Sequence, residues 1–268
     1  MTTPELRHVL LVSGGKDSTA LALYMREKYP EIDMEYVFCD TQKELEETYE
    51  YLSRIEAILG KTVVRLSSSQ GERAFDHHLE MFRGYLPSPS MRWCTRLLKI
   101  EPFEKFIGED PVKLYVGIRA DEARDGYIST KSNIESVFPF KDDGLVKDDI
   151  MQILERSGVG LPKYYEWRTR SGCYFCFFQR KIEWVGLLER HPELFESAQS
   201  YEKVDEGYTW VQNESLEELA ARADKIKADD SKRKAQAETR RMPKTLVEQL
   251  TGNFGDMEDE AGCLICHL

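Results

Sequence analysis

A short apolar run broken by two glycines narrows the fold more than any other feature of this chain. Val9-Leu10-Leu11-Val12 leads directly into Ser13-Gly14-Gly15-Lys16-Asp17-Ser18-Thr19, and helical periodicity follows as far as Tyr29. Consecutive apolar residues without alternation fit a parallel strand buried on both faces. The paired glycines allow the sharp turn that a following helix needs. Strand, tight loop and helix in this order form the first half of a βαβ unit, and such units build sheets sandwiched between helices.

The alternation continues. Residues 34–39 are rich in β-formers, 44–59 are strongly helical and 62–66 read as a third strand. Residues 112–116 form another strand, closed by Gly117, and 147–158 form a helix ended by glycine, near which the sheet is expected to finish. The expectation is an α/β fold, a parallel twisted sheet flanked by helices. From Arg168 the character changes to a cysteine-containing loop, a helix around 180–190 and a charged stretch at 216–241. A nucleotide-binding domain over 1–165 and a helical, cysteine-containing subdomain over 166–268 fit the length of 268 residues.

Charge and cysteine usage limit the partners. A net charge of −11 counts against a protein that coats nucleic acid alone, because neutralising phosphates takes clustered Lys and Arg. Lys232-Arg233-Lys234 and Arg240-Arg241 are interspersed with acids, which favours a solvated helix over a nucleic-acid surface. No apolar run approaches the ~18 residues of a membrane span, and Met1-Thr2-Thr3-Pro4-Glu5 lacks the layout of a signal peptide. The expectation is a cytoplasmic protein without membrane contact, whose six cysteines serve metal or redox chemistry rather than disulfides.

The glycine loop suits an anion. Its backbone N–H groups can approach phosphate oxygens with no side chain between, and the helix that follows turns its positive end to the same point. Lys16 adds a cation, Asp17 holds Mg²⁺ or orients the loop, and Ser18 and Thr19 bring hydroxyls to the helix start. A tight strand-to-helix turn with a serine cap is the plainer alternative. The pattern is neither the nucleotide-triphosphatase phosphate loop nor the dinucleotide fingerprint. Ser-Gly-Gly-x-Asp-Ser after the first strand resembles the PP-loop ATP pyrophosphatases, which share the adenine nucleotide α-hydrolase-like fold. That resemblance implies ATP and Mg²⁺ on Ser13, Gly14, Gly15, Lys16, Asp17, Ser18 and Thr19, with Lys16 and Asp17 catalytic. Asp40-Thr41, ending the second strand, occupies the position that faces adenosine in that superfamily. The same aspartate also fits as a cap for the next helix.

Further marks resemble the phosphoadenosine-phosphosulfate reductase family: Asp40-Thr41-x-x-Glu44-x-x-Glu47-Thr48-Tyr49, Cys94-Thr95-x-x-Leu98-Lys99, Gly117-x-Arg119-x-x-Glu122 and Gly172-Cys173-x-x-Cys176. The sulfonucleotide reductases themselves carry a degenerate loop and do not cleave ATP, whereas the Gly-Gly-x-Asp-Ser core here is complete. The resemblance therefore implies a member that retains pyrophosphatase chemistry, such as the proteins that insert sulfur into the DNA backbone as phosphorothioate. Such a protein adenylates an acceptor for sulfur transfer, works with protein partners and a sulfur donor such as a cysteine desulfurase, and meets DNA together with those partners. The rival expectations are a sulfonucleotide reductase of sulfate assimilation and a non-catalytic nucleotide-binding subunit.

The cysteines leave two metal readings open. Cys94, Cys173, Cys176 and Cys263 suit a [4Fe-4S] cluster; Cys173, Cys176, Cys263 and Cys266 suit a structural Zn²⁺. The cluster is favoured because the zinc set leaves Cys94 without a purpose. Iron–sulfur adenylylsulfate reductases carry a Cys-Cys doublet where this chain has Trp93-Cys94. Cys266-His267 is similar to the reductases' tail, in which a catalytic cysteine precedes a histidine, and Cys266 is a candidate on that ground. Cys39 reads as a small buried residue, and His8, His77, His78 and His191 show no ligand pattern. Among Arg92, Arg96, Lys99, Arg119, Arg124, Arg168, Arg170, Arg180 and Lys181, phosphate contact competes with pairing to Asp and Glu; Arg119 is the one singled out for nucleotide binding and catalysis.

Overall fold

The computed structural model describes residues 5–68, 73–123, 129 and 131–241. They fall into two compact units, one running to Tyr174 and one beginning at Phe175.

The first unit is built on β1 (Arg7–Leu11), β2 (Met34–Cys39), β3 (Val63–Leu66), β4 (Val112–Tyr115) and β5 (Ile134–Val137), all parallel, in the order β3-β2-β1-β4-β5. The connections carry α1 (Lys16–Lys28), α2 (Glu46–Leu59), α3 (Ala74–Met81), α4 (Trp93–Thr95), α5 (Glu101–Ile107), α6 (Pro139–Asp142) and α7 (Lys147–Ser157). Leu10 and Val12 face a core shared with Leu21, Leu52, Ile55 and Ile153, while Val9 and Leu11 face a second core with Phe103, Ile107 and Leu114. The unalternating run at β1 is thus explained: its strand is apolar on both faces because both are covered. α7 packs on α1.

Inside the expected bounds of the sheet the structure adds a strand that the sequence pattern did not mark, β5. This edge strand hides only Ile134 fully, and Glu135 and Ser136 interrupt its apolar character. Gly158, at φ +75°, ends α7 in the left-handed region that glycine adopts without strain.

The order of the strands matters for function. The chain steps from β1 to β2 and β3 on one side and then crosses back to β4 on the other side of β1, and this reversal opens a crevice at the carboxyl ends of β1 and β4. The glycine loop follows β1 there, and Gly117-Ile118-Arg119 follows β4.

In the second unit, α8 (Lys181–Arg190) carries α9 (Pro192–Ser200), α10 (Leu216–Ala221) and α11 (Ala223–Arg241). Its core is aromatic: Trp210 stacks on Phe175 at 4.9 Å between centroids and lies 6.2 Å from Trp184. Ser215 caps α10 in a reciprocal box with Glu218. Along α11, Asp230 pairs with Arg233 at 3.3 Å and Lys234 at 3.0 Å, as a solvated charged helix requires. Among the described residues no helix is long and apolar enough to cross a membrane.

Candidate active site

The loop after β1 is tight enough to exclude side chains at both glycines. Gly14 sits at φ +74°, and a Cβ there would lie 2.8 Å from Thr48 Cγ2; at Gly15 it would lie 2.8 Å from Ser171 Oγ. α1 begins at Lys16 without a side-chain cap, which leaves its opening N–H groups to other partners. Lys16 N–H donates to the Tyr165 hydroxyl at 3.1 Å, and the buried Tyr164 donates to the Gly14 carbonyl at 2.6 Å. Ser18 Oγ accepts from Ser13 N–H at 3.1 Å, and Ser13 Oγ lies 3.2 Å from Ser171 Oγ.

Two hydroxyls expected to face phosphate are turned inward here. Thr19 is fully buried and donates to the Gly15 carbonyl at 2.8 Å, and Ser18 Oγ also reaches that carbonyl at 3.3 Å. Both close the first helical turn. Within the loop only Ser13 and Lys16 are partly exposed.

Opposite the loop stands Arg119. Its Nη1 lies 2.9 Å from Asp17 Oδ1 and 2.6 Å from Glu122 Oε1, and its Nε lies 2.9 Å from Asp121 Oδ1. Burial works against the guanidinium charge, but Asp17 and Glu122 outweigh it and hold its pKa above the usual arginine range. Asp17 Oδ2 takes Lys16 Nζ at 2.7 Å, so both carboxylate oxygens sit on cations. Asp17 therefore fits the orienting role better than that of a ready Mg²⁺ ligand. β4 reaches this close because Gly117 has no side chain: a Cβ there would stand 3.0 Å from the Asp17 carbonyl oxygen.

Asp40 and Thr41 come to the same carboxyl edge on β2. Asp40 Oδ1 accepts from Gln42 N–H at 2.8 Å and from Tyr49 at 2.9 Å, so it caps its own turn and steadies α2. Beside it opens a cleft of about 610 Å³ lined by Asp40, Gln42, Glu44, Tyr49 and Arg65. Thr41 Oγ1 lies 3.0 Å from Cys173 Sγ and donates to Glu44 Oε1 at 3.0 Å. Burial pushes the Glu44 carboxyl up, with Lys99 opposing. The cysteine turn is pinned here by Tyr174 N–H on the Lys43 carbonyl at 2.8 Å and by Arg168 on the Gly172 and Cys173 carbonyls at 3.1 and 3.2 Å.

The other candidates separate. Arg168 is buried and holds backbone carbonyls, Arg96 pairs with Glu101 at 3.4 Å, Arg180 with Glu183 at 3.5 Å and Lys181 with Glu214 at 2.6 Å. Arg124 lies outside the described residues. Cys94 sits in α4, directly before a π-helical turn, Arg96–Ile100, that carries Lys99. Among the described residues no three of His, Cys, Asp and Glu gather into a group that could hold a metal ion. Cys263 and Cys266 lie outside the described residues. The described cysteines do not by themselves make a metal centre.

Residues 7–177 match the phosphoadenosine phosphosulfate reductase domain, well over half of the chain. The chain belongs to that family. The phosphoadenosine phosphosulfate reductase family takes its name from sulfur chemistry on a nucleotide, and the match runs from β1 through both cysteines of Cys173-x-x-Cys176. An uncharacterized protein of Methanocaldococcus jannaschii is 29% identical over 218 residues, 74% of this chain and 43% of its own length. The chain thus spans less than half of that curated relative. Phosphoadenylyl-sulfate reductase from Candida auris, solved with phosphate, aligns over 64% of this chain and 82% of its own at 18% identity and a TM-score of 0.47. The U34-tRNA thiolase NcsA from Methanococcus maripaludis, solved with its [4Fe-4S] cluster, aligns over 77% of this chain and 74% of its own at 13% identity and a TM-score of 0.42.

Three residues at the loop carried no local signal. Tyr164, Tyr165 and Ser171 reach it from far along the chain, and only the fold brings them there. Cys39 is the reverse case, close in sequence to Asp40 but chemically quiet: burial pushes its thiol up to about 12, and it donates to the Lys99 carbonyl at 3.6 Å. At pH 7–9 the thiol therefore keeps its proton. Alkylation by iodoacetamide, mapped by mass spectrometry, is expected to spare Cys39 in the folded protein and to modify it in denaturant; labelling of folded protein at pH 8 would contradict this.

Proposed function

We propose that this chain binds ATP on the Ser13–Thr19 loop, cleaves it between the α- and β-phosphates and adenylates an acceptor for sulfur transfer. The observation that carries the reading is the complete Gly14-Gly15-x-Asp17-Ser18 core, set at the crevice between β1 and β4 with Arg119 against it. An acceptor oxygen bonds to the α-phosphorus while the bond to the bridging oxygen breaks and pyrophosphate leaves. A thiol reductant releases sulfide from the persulfide donor, the sulfide attacks the adenylated centre, and AMP departs with the former acceptor oxygen. Lys16 and Arg119 offset charge on the leaving pyrophosphate, a contribution that depends on donors fixed beforehand. Asp17 fixes both. Mg²⁺, a hard cation suited to phosphate oxygens, is proposed to arrive with the nucleotide, since Asp17 already holds Lys16 and Arg119.

The acceptor we propose is a DNA backbone phosphate, met together with protein partners and supplied with sulfur by a donor such as a cysteine desulfurase. The chain's acidity supports the need for partners. Contact between Thr41 and Cys173 supports sulfur chemistry beside the nucleotide. For the cysteine site we propose Cys94, Cys173, Cys176 and Cys263 as ligands of a [4Fe-4S] cluster, with Zn²⁺ as the alternative. The family match favours one second reading, reduction of a sulfonucleotide, which requires no ATP cleavage.

Pyrophosphate release from ATP, measured with DNA and a persulfide donor present, is expected from wild type and expected to fall about 100-fold or more in Asp17→Ala. No ATP-dependent release under any acceptor condition would defeat the proposal. Protein prepared without oxygen is expected to hold iron and acid-labile sulfide; stoichiometric zinc without iron would overturn the cluster.

A further inference from the structure

The first backbone N–H of α1 is already occupied, by the hydroxyl of Tyr165 at 3.1 Å. That ring comes from a single 3-10 turn, Lys163–Glu166, which reaches the loop from 149 residues away in sequence. The turn is held in place by its other tyrosine, since Tyr164 is buried and donates to the Gly14 carbonyl at 2.6 Å. The two rings lie 5.1 Å apart between centroids, and Lys16 Nζ stands 6.0 Å from the centre of the Tyr165 ring.

A phenol has one proton to give and lone pairs to accept with. Tyr165 accepts from Lys16 N–H, and among the described residues no acceptor takes its own proton. The remaining donor therefore sits at the glycine loop, next to the Lys16 ammonium and the start of a helix, where positive potential gathers. Burial raises the phenol's pKa, with the Lys16 N–H opposing, so the hydroxyl stays a neutral donor throughout the neutral range. Hydrogen bonds from such donors to charged phosphate oxygens are stronger than neutral pairs.

We propose that Tyr165 is a further nucleotide-binding residue: its hydroxyl accepts from Lys16 N–H and donates to a phosphate oxygen held on the loop. This rests on the reading of the loop as an ATP site. The contrary arrangement, in which the hydroxyl only fills the place of the phosphate and must leave, predicts the opposite sign on its removal.

Calorimetric binding of Mg-ATP and of inorganic pyrophosphate to the full chain separates these ideas, using wild type, Lys16→Ala and Tyr165→Phe. The last variant keeps the ring and removes one oxygen. Tyr165→Phe is expected to bind both probes about tenfold more weakly, with a thermal unfolding midpoint like that of wild type. Unchanged or tighter binding overturns the proposal, as does weakening that appears only together with a lowered midpoint. Wild type that binds neither probe removes the ATP reading and this inference together. Weaker binding in Lys16→Ala with none in Tyr165→Phe removes this inference alone.

Discussion

The candidate site depends on how closely two strand ends approach each other. At Gly117 a side chain would meet the Asp17 carbonyl oxygen at 3.0 Å and the Ser18 nitrogen at 3.4 Å, both of them backbone atoms that cannot swing aside. The space saved there brings Arg119 to Asp17, and the same economy at Gly14 and Gly15 seats the loop against Thr48 and Ser171. β1 supplies the fixed point for all of this, because it is the central strand and is packed on both faces. A loop anchored to such a strand keeps its N–H groups aimed without a ligand present, which is the preorganisation that binding a polyphosphate needs.

Electrostatics complete the arrangement. On a chain of net charge −11, cations near the loop must be shielded from the general acidity yet kept in place. Asp17 does this by taking Lys16 on one oxygen and Arg119 on the other, while Asp121 and Glu122 share the guanidinium. An incoming polyphosphate would compete with carboxylates for these cations, and the exchange replaces one anion by another of higher charge. On the proposed reading such a site would favour ligands with several phosphate charges over those with one.

Much of this was legible from the residues because it rests on local rules. Periodicity located four strands and the helices that follow the first two, though not the helices between β3 and β4, and the paired glycines marked the loop. β5 escaped because an edge strand of four residues needs little apolar character, and only Ile134 of Ile134–Val137 is fully buried. Ser18 and Thr19 show what residue type leaves open: their hydroxyls suit phosphate, and in this structure both bond back to the Gly15 carbonyl, which also accepts Thr19 N–H at 3.1 Å. For Arg168 the residue type left phosphate contact and acid pairing open, and the fold shows a third use: it is buried and holds the carbonyls of the cysteine turn. Tyr164, Tyr165 and Ser171 belong to the site through tertiary structure, which no local pattern encodes.

The central claim is that an intact loop makes this family member a binder of ATP rather than of a finished sulfonucleotide. Calorimetry of the wild-type chain with Mg-ATP and with phosphoadenosine phosphosulfate, each alone and each in the presence of the other, tests it most directly. The account predicts tighter binding of Mg-ATP, with the sulfonucleotide displaced by it. Tight binding of the sulfonucleotide with no heat from ATP would contradict the account.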